Sequence, residues 1–177
     1  MEKILVVVDM QNDFIDGSLG TEEARNIVEP VCEKIIEFGG QIFVTQDTHS
    51  DNYLETLEGR HLPVEHCIAN TEGWLINSFI RNALKSKNYA FIEKEIFGSM
   101  KLVDKIAKIL DKGVKGSIEI VGLCSDICVV SNALMLRSAF PNTEITVDAS
   151  CCAGVTPEKH KAAMEVMKSC QINVIGE

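Results

Sequence analysis

Hydrophobic and polar positions divide the chain into short apolar runs separated by longer stretches whose apolar residues recur at helical spacing. The runs Lys3–Val8, Gln41–Thr45, Tyr89–Glu93, Ser117–Gly122, Glu144–Asp148 and Ile172–Ile175 are near-continuous and β-branched, the pattern of parallel strands covered on both faces. The segments Thr21–Phe38, Trp74–Ala83, Lys101–Leu110, Asp126–Ala139 and Pro157–Ser169 read as helices. Gly39-Gly40 ends the first, and Thr156-Pro157 sets a capping hydroxyl before a proline at the first helical position of the last. Strand and helix alternate, which predicts a three-layer α/β fold with right-handed crossovers. No repeat, linker or low-complexity tract intervenes, so residues 1–177 are expected to form one domain.

The rhythm fails between Thr45 and Gly73, where Asp, His, Glu, Gly and Asn crowd together. Long irregular loops in compact domains are usually functional, and open α/β sheets bind ligands beyond the carboxyl ends of their strands. The residues that follow the predicted strands are Asp9, Asp47 with His49, Lys94, and the Cys124–Cys128 stretch. An acid, a metal-ligand-like pair, a base and a thiol are thereby expected at one edge of the sheet.

Composition narrows the choice of partner. The chain has 177 residues, 46% hydrophobic and 24% charged, and a net charge of 17 − 26 = −9 without a basic stripe. Nucleic acid and anionic membrane surfaces are therefore poor partners. No apolar stretch approaches the ~18–20 residues of a membrane span, and Asp9 cuts the Ile4–Val8 run short of a ~7–15-residue signal core. Seven cysteines, an odd number, are expected to be thiols in a reducing, cytoplasmic compartment. Gly17, Gly20 and Gly39-Gly40 make no dinucleotide fingerprint.

Each candidate also has a plainer reading. Cys128 falls at a predicted helix start, where the dipole is expected to lower its pKa and free N–H groups could hold an oxyanion; Cys124 and Cys128 could equally be small buried residues one turn apart. Asp9 suits a general base, or a solvated strand end. Lys94 could steady a thiol–carboxylate pair, or simply face solvent. Asp47-Thr48-His49 puts a carboxylate and an imidazole on one side of an extended segment, and His66 follows in the loop. Two imidazoles and a carboxylate suit Zn, Fe(II) or Mn(II), with Glu58 or His61 as a further donor, unless His49 and His66 are ordinary loop histidines.

Five motifs occur in order: Val7-Val8-Asp9-Met10-Gln11-Asn12-Asp13-Phe14; Asp47-Thr48-His49; Pro63-Val64-Glu65-His66-Cys67 with Thr71-Glu72-Gly73; Glu93-Lys94-Glu95-Ile96-Phe97-Gly98-Ser99; and Gly122-Leu123-Cys124-Ser125-Asp126-Ile127-Cys128-Val129. With them the chain resembles the isochorismatase-like cysteine hydrolases, nicotinamidases most closely. The resemblance implies a mostly parallel Rossmann-like sheet and a catalytic triad of Asp9, Lys94 and Cys128. It also implies a cis peptide at Leu123–Cys124, with the Cys124 and Cys128 N–H groups as oxyanion hole. One divalent metal, zinc before iron or manganese, is implied at Asp47, His49 and His66, with Glu58 as an extra ligand. Phe14 is the implied ring contact, and a homo-oligomer the implied assembly. The implied reaction is deamidation of nicotinamide, or a close pyridine carboxamide, to the acid and ammonia through a Cys128 thioester. Leu62 stands where many nicotinamidases have Trp before the motif's proline, an extra residue precedes His66, and Asn70 replaces a usual Gly; these departures bear on which amide is gripped. The alternatives are a metal-free hydrolase of another small substrate, and a non-catalytic small-molecule-binding protein of the same fold.

Overall fold

The computed structural model describes residues 2–110 and 115–177. Strands β1 (Glu2–Val8), β2 (Gln41–Asp47), β3 (Tyr89–Lys94), β4 (Gly116–Leu123), β5 (Glu144–Ala153) and β6 (Asn173–Ile175) form a sheet in the order β3-β2-β1-β4-β5-β6. Every neighbouring pair is parallel. The winding direction reverses between β1 and β4, and a crevice opens at that point beyond the carboxyl ends of the strands.

The helices are α1 (Asn12–Ile15), α2 (Glu22–Asn26), α3 (Val28–Glu37), α4 (Leu57–His61), α5 (Ser78–Leu84), α6 (Met100–Leu110), α7 (Val130–Ala139) and α8 (Pro157–Ser169). Side chains of a strand alternate between faces, so β1 feeds two cores. Leu5 and Val7 join Val31, Ile35, Ile80 and Leu84 beneath α3 and α5. Ile4, Val6 and Val8 join Leu102, Ile106, Leu136 and Met167 beneath α6, α7 and α8. Each such side chain, taken fully out of water, stabilises the fold by roughly 1.5–3 kcal/mol before ordering costs. The three-layer α/β expectation holds.

Several boundaries differ from the sequence reading. The helix expected over Thr21–Phe38 breaks at Ile27, because Pro30 has no N–H to give the carbonyl four residues back and sits instead in the first turn of α3. The helix expected from Trp74 starts at Ser78, capped by Asn77, whose side chain accepts the Phe79 N–H. Trp74 stays outside because its carbonyl accepts from Gln11 and Gln46, and Ile76 bridges to Gln11 in extended form. The helix expected from Asp126 opens as a π-turn over Ser125–Val129 before α7 begins. Strand β5 runs on through Cys151 and Cys152, both buried, past a register shift against β4.

Candidate active site

Four neighbouring strands deliver the chemistry. Asp9 is the first residue beyond β1 and has φ +48°, a left-handed conformation that Asp tolerates better than most residues. Gly122 (φ +117°) pairs with Val8; a Cβ there would meet the Val8 carbonyl, so glycine lets β1 and β4 close up just below the site. Asp47 ends β2 and Lys94 ends β3, and the two are register partners. Cys128 lies in the π-turn after β4, behind a cis peptide at Leu123–Cys124, where the resemblance places one.

The two carboxylates and the thiol meet around the lysine. Lys94, 4% exposed, sets its Nζ 2.7 Å from Asp9 Oδ2, 3.0 Å from Asp47 Oδ1 and 3.6 Å from Cys128 Sγ. Thr45 Oγ1 donates to Asp9 Oδ1 at 2.6 Å. Asp9 Oδ2 faces the ammonium off the hydrogen-bond direction, and so remains a buried carboxylate oxygen with no hydrogen-bond partner among the described residues.

Burial and neighbouring charges compete throughout the cluster. Burial pushes the Asp9 carboxyl above its ordinary value and outweighs the pull of Lys94. Burial works against the Lys94 charge, but Asp9, Cys128 and Asp47 together hold its pKa above the usual range. Burial also works against ionised Asp47, where a hydrogen bond from His49 and the Lys94 charge prevail and lower it. The expected lowering at Cys128 is corrected: its thiol is held well above the ordinary value, first by burial and then by the facing Asp9 charge, with Lys94 opposing. A helix-end dipole is too weak to keep a second anion in that dry space.

Asp47, His49 and His66, all buried, offer ligand atoms within 4.8 Å of one another. His49 Nε2 is 3.0 Å and His66 Nε2 3.7 Å from Asp47 Oδ2. Glu58, half-buried on α4, brings Oε1 to 3.9 Å from both imidazoles. His66 Nδ1 donates to the Val64 carbonyl at 2.9 Å, which leaves Nε2 as the lone-pair nitrogen turned to the cluster. Burial opposes protonation of His49, but its hydrogen bond to Asp47 and that residue's charge raise its pKa overall. Two imidazoles and a carboxylate at this spacing fit a divalent metal of the zinc type. His61 forms no part of the compact donor set found among the described residues.

The surrounding scaffold includes residues to which the sequence reading gave no role. Gln11, fully buried, donates to the Asp47 carbonyl (2.8 Å) and the Trp74 carbonyl (2.9 Å) and accepts the Asp47 N–H (2.7 Å). Asp13 accepts the Cys67 N–H at 2.7 Å and so pins the loop beside His66, with Cys67 at φ +48°. Its carboxylate fills the space where a Cβ on Gly73 would stand, so any larger residue at 73 would push Asp13 from its place. Tyr53, buried from the irregular loop, lies 4.8 Å from the His49 ring and 4.9 Å from the His66 ring, centroid to centroid. Polar side chains next to a strand-end acid, and one aromatic inside a polar loop, were the available signals.

A cavity of about 250 Å³ opens onto the site, lined by apolar Phe14, Leu62, Phe97, Ile127 and Val155 and by Asp47, Glu58, His66, Cys124 and Cys128. Phe14 stands 5.6 Å from the His66 ring. Asn70, in place of the usual Gly, has φ +67°, where Asn is among the best-tolerated non-glycine residues. Of these two departing positions, Leu62 lines the cavity and Asn70 does not.

Fold and site together define an α/β protein whose parallel sheet carries a thiol–acid–lysine centre beside a metal-ligand cluster. The isochorismatase domain family model matches residues 3–176, and the chain belongs to this isochorismatase family. A nicotinamidase of Saccharomyces cerevisiae is 24% identical over 216 residues, covering 99% of this chain and 100% of that protein. A pyrazinamidase of Pyrococcus horikoshii, solved in complex with zinc, is 29% identical, with 100% of both chains covered and a TM-score of 0.82. A nicotinamidase/pyrazinamidase structure from Bacillus subtilis is 26% identical over 98% of this chain and 99% of that one, at a TM-score of 0.84. Among the described residues no helix is long and apolar enough to cross a membrane.

Proposed function

We propose that this chain, acting as one domain, is a nicotinamidase-like hydrolase that converts nicotinamide, or a close pyridine carboxamide, to the acid and ammonia through a Cys128 thioester. The observation that carries the reading is the buried meeting of Asp9, Lys94 and Cys128 against the Asp47–His49–His66 cluster at the end of one apolar cavity. The relatives named for nicotinamide and pyrazinamide, one of them zinc-bound, support the substrate class and the metal.

The resting thiol is protonated, and Asp9 Oδ2 has a lone pair to receive its proton. As the proton moves to Asp9, Lys94 balances the new thiolate, which attacks the carboxamide carbon. Backbone N–H groups of Cys124 and Cys128 hold the oxyanion. Asp9 then returns the proton to the departing ammonia and leaves a thioester. Water, giving a proton to Asp9, releases the acid and restores the thiol. Asp47, His49 and His66, with Glu58 as fourth donor, would hold one divalent metal, zinc first; bound there it supplies a Lewis-acid anchor that orients the pyridine nitrogen. Phe14 and Leu62 enclose the ring.

The test is ammonia release from nicotinamide, pyrazinamide and aliphatic amides, with and without a chelator. Nicotinamide turnover with a strong rise in KM on metal removal is the expected result. Turnover indifferent to chelator, by a protein without bound metal, would favour a metal-free hydrolase; silence on every amide would favour a binding protein.

A further inference from the structure

The metal-ligand cluster stands as a wall between two openings. The apolar cavity described above reaches Asp47, His66 and Glu58. A second cavity, of about 430 Å³, approaches from another side and is lined by Thr48, His49, Leu57, Glu58, Glu95 and Ile96 among others. Glu58 borders both cavities, whereas His49 borders the second alone. His49 is 7% exposed and turns Nε2 to Asp47. Its Nδ1 takes no hydrogen bond from the described residues, yet it is not sealed from solvent as Asp9 Oδ2 is. A buried imidazole with one nitrogen in the cluster and the other open to a water-sized space is a ligand held at a boundary.

The two linings differ in chemistry. Away from the cluster itself, the first cavity presents apolar Phe14, Leu62, Phe97, Ile127 and Val155, a surface for an organic ring, with the hydroxyl of Thr21 and the ammonium of Lys159. The second presents the hydroxyls of Thr48, Ser50 and Thr56 and the carboxylates of Glu58 and Glu95. Several oxygen donors in sequence let a hydrated dication shed its water stepwise, whereas the largely apolar approach of the first cavity offers few replacements and sets the Lys159 cation in the way. From this we infer that the metal ion reaches and leaves its ligands through the second cavity, with Glu58 as the carboxylate that hands it across. Metal exchange and substrate binding then use separate doors, and an occupied substrate cavity does not lock the metal in. The inference rests on the metal reading given under Proposed function.

Zinc exchange tests it directly. Zinc-loaded protein is mixed with a chromogenic chelator to follow release, and metal-stripped protein with zinc to follow uptake. Ile96 (51% exposed) and Leu57 (66% exposed) line only the second cavity, so both tolerate bulk. Ile96→Trp and Leu57→Trp are expected to slow release and uptake alike by about tenfold, a barrier effect that leaves zinc affinity and kcat/KM unchanged. Val155→Trp, in the first cavity, is expected to lower kcat/KM and leave zinc exchange at the wild-type rate. The reverse pattern, or exchange rates equal in all variants, overturns the route while the metal reading stands. A protein that binds no zinc in stoichiometric amount overturns the metal reading and the route with it.

Discussion

Lys94 balances the charges of the site. A lysine 4% exposed between two carboxylates and a thiol is stable only as a member of that set. Lys94→Met leaves Asp9 and Asp47 buried without their cation; it should cost about 3–5 kcal/mol in urea unfolding of the metal-free protein and remove turnover. Cys128→Ala should cut kcat by on the order of 10⁴–10⁶ with zinc content and circular dichroism unchanged, and a variant with wild-type turnover would disprove the thioester. Gln11→Leu strips partners from the Asp47 N–H and carbonyl and should cost about 1–3 kcal/mol; zinc titration should show affinity weaker by roughly 10–100-fold. Asp9, Asp47 and Lys94 were legible because each stands at or just past the end of an apolar run, and Cys128 because it falls where a helix is expected to start after one. Gln11 was not, since its partners lie 36 and 63 residues away and only folding brings them near. The direction of the Cys128 shift was hidden for the same reason: helix position can be read locally, whereas burial depends on β1 and β3.

At the level of elements, α3 is tied to the sheet by Lys34, whose Nζ lies 2.6 Å from Glu119 of β4 and 2.8 Å from Asp148 of β5. Burial opposes ionised Asp148, but its hydrogen bonds from Lys34 and Ser150 win and hold its pKa below the ordinary carboxylate value. A depressed carboxylate stabilises the fold above its unfolded pKa, about 4, and loses that contribution as pH falls through the lower folded value. Asp148→Asn should therefore lose about 1–3 kcal/mol at neutral pH. The gap to wild type should close below pH 4, as thermal unfolding across a pH series would show. Element type was legible in periodicity, and boundaries were not. The break at Ile27 follows from Pro30, visible in the sequence, whereas the late start of α5 follows from what Gln11 and Gln46 do with the Trp74 carbonyl.

At the scale of the molecule, the parallel layered sheet was implied by strand–helix alternation together with the family motifs, whereas its strand order was not; the place of the site followed from the rule that such sheets bind at their carboxyl ends. Tyr53 and Asp13 escaped because the loop they organise has no period to read. A metal held by Asp47, His49, Glu58 and His66 would clip the single stretch that leaves β2 and runs through α4 into one fixed shape. Zinc at about 1,000 times its Kd should raise stability by about 4 kcal/mol, visible as a higher Tm that chelator reverses. Strand β3 sits at the rim of the sheet, with Ile92 and Lys94 turned inward and Tyr89, Phe91 and Glu93 turned to solvent. A slip of one residue along β2 would invert that pattern, bringing Glu93 in beside Asp9 and Asp47 and sending the Lys94 ammonium out. The outermost strand therefore works as a combination lock: its alignment decides whether the pocket holds a cation among anions or three mutually repelling acids, and a misaligned chain would be inert even if it were otherwise well folded.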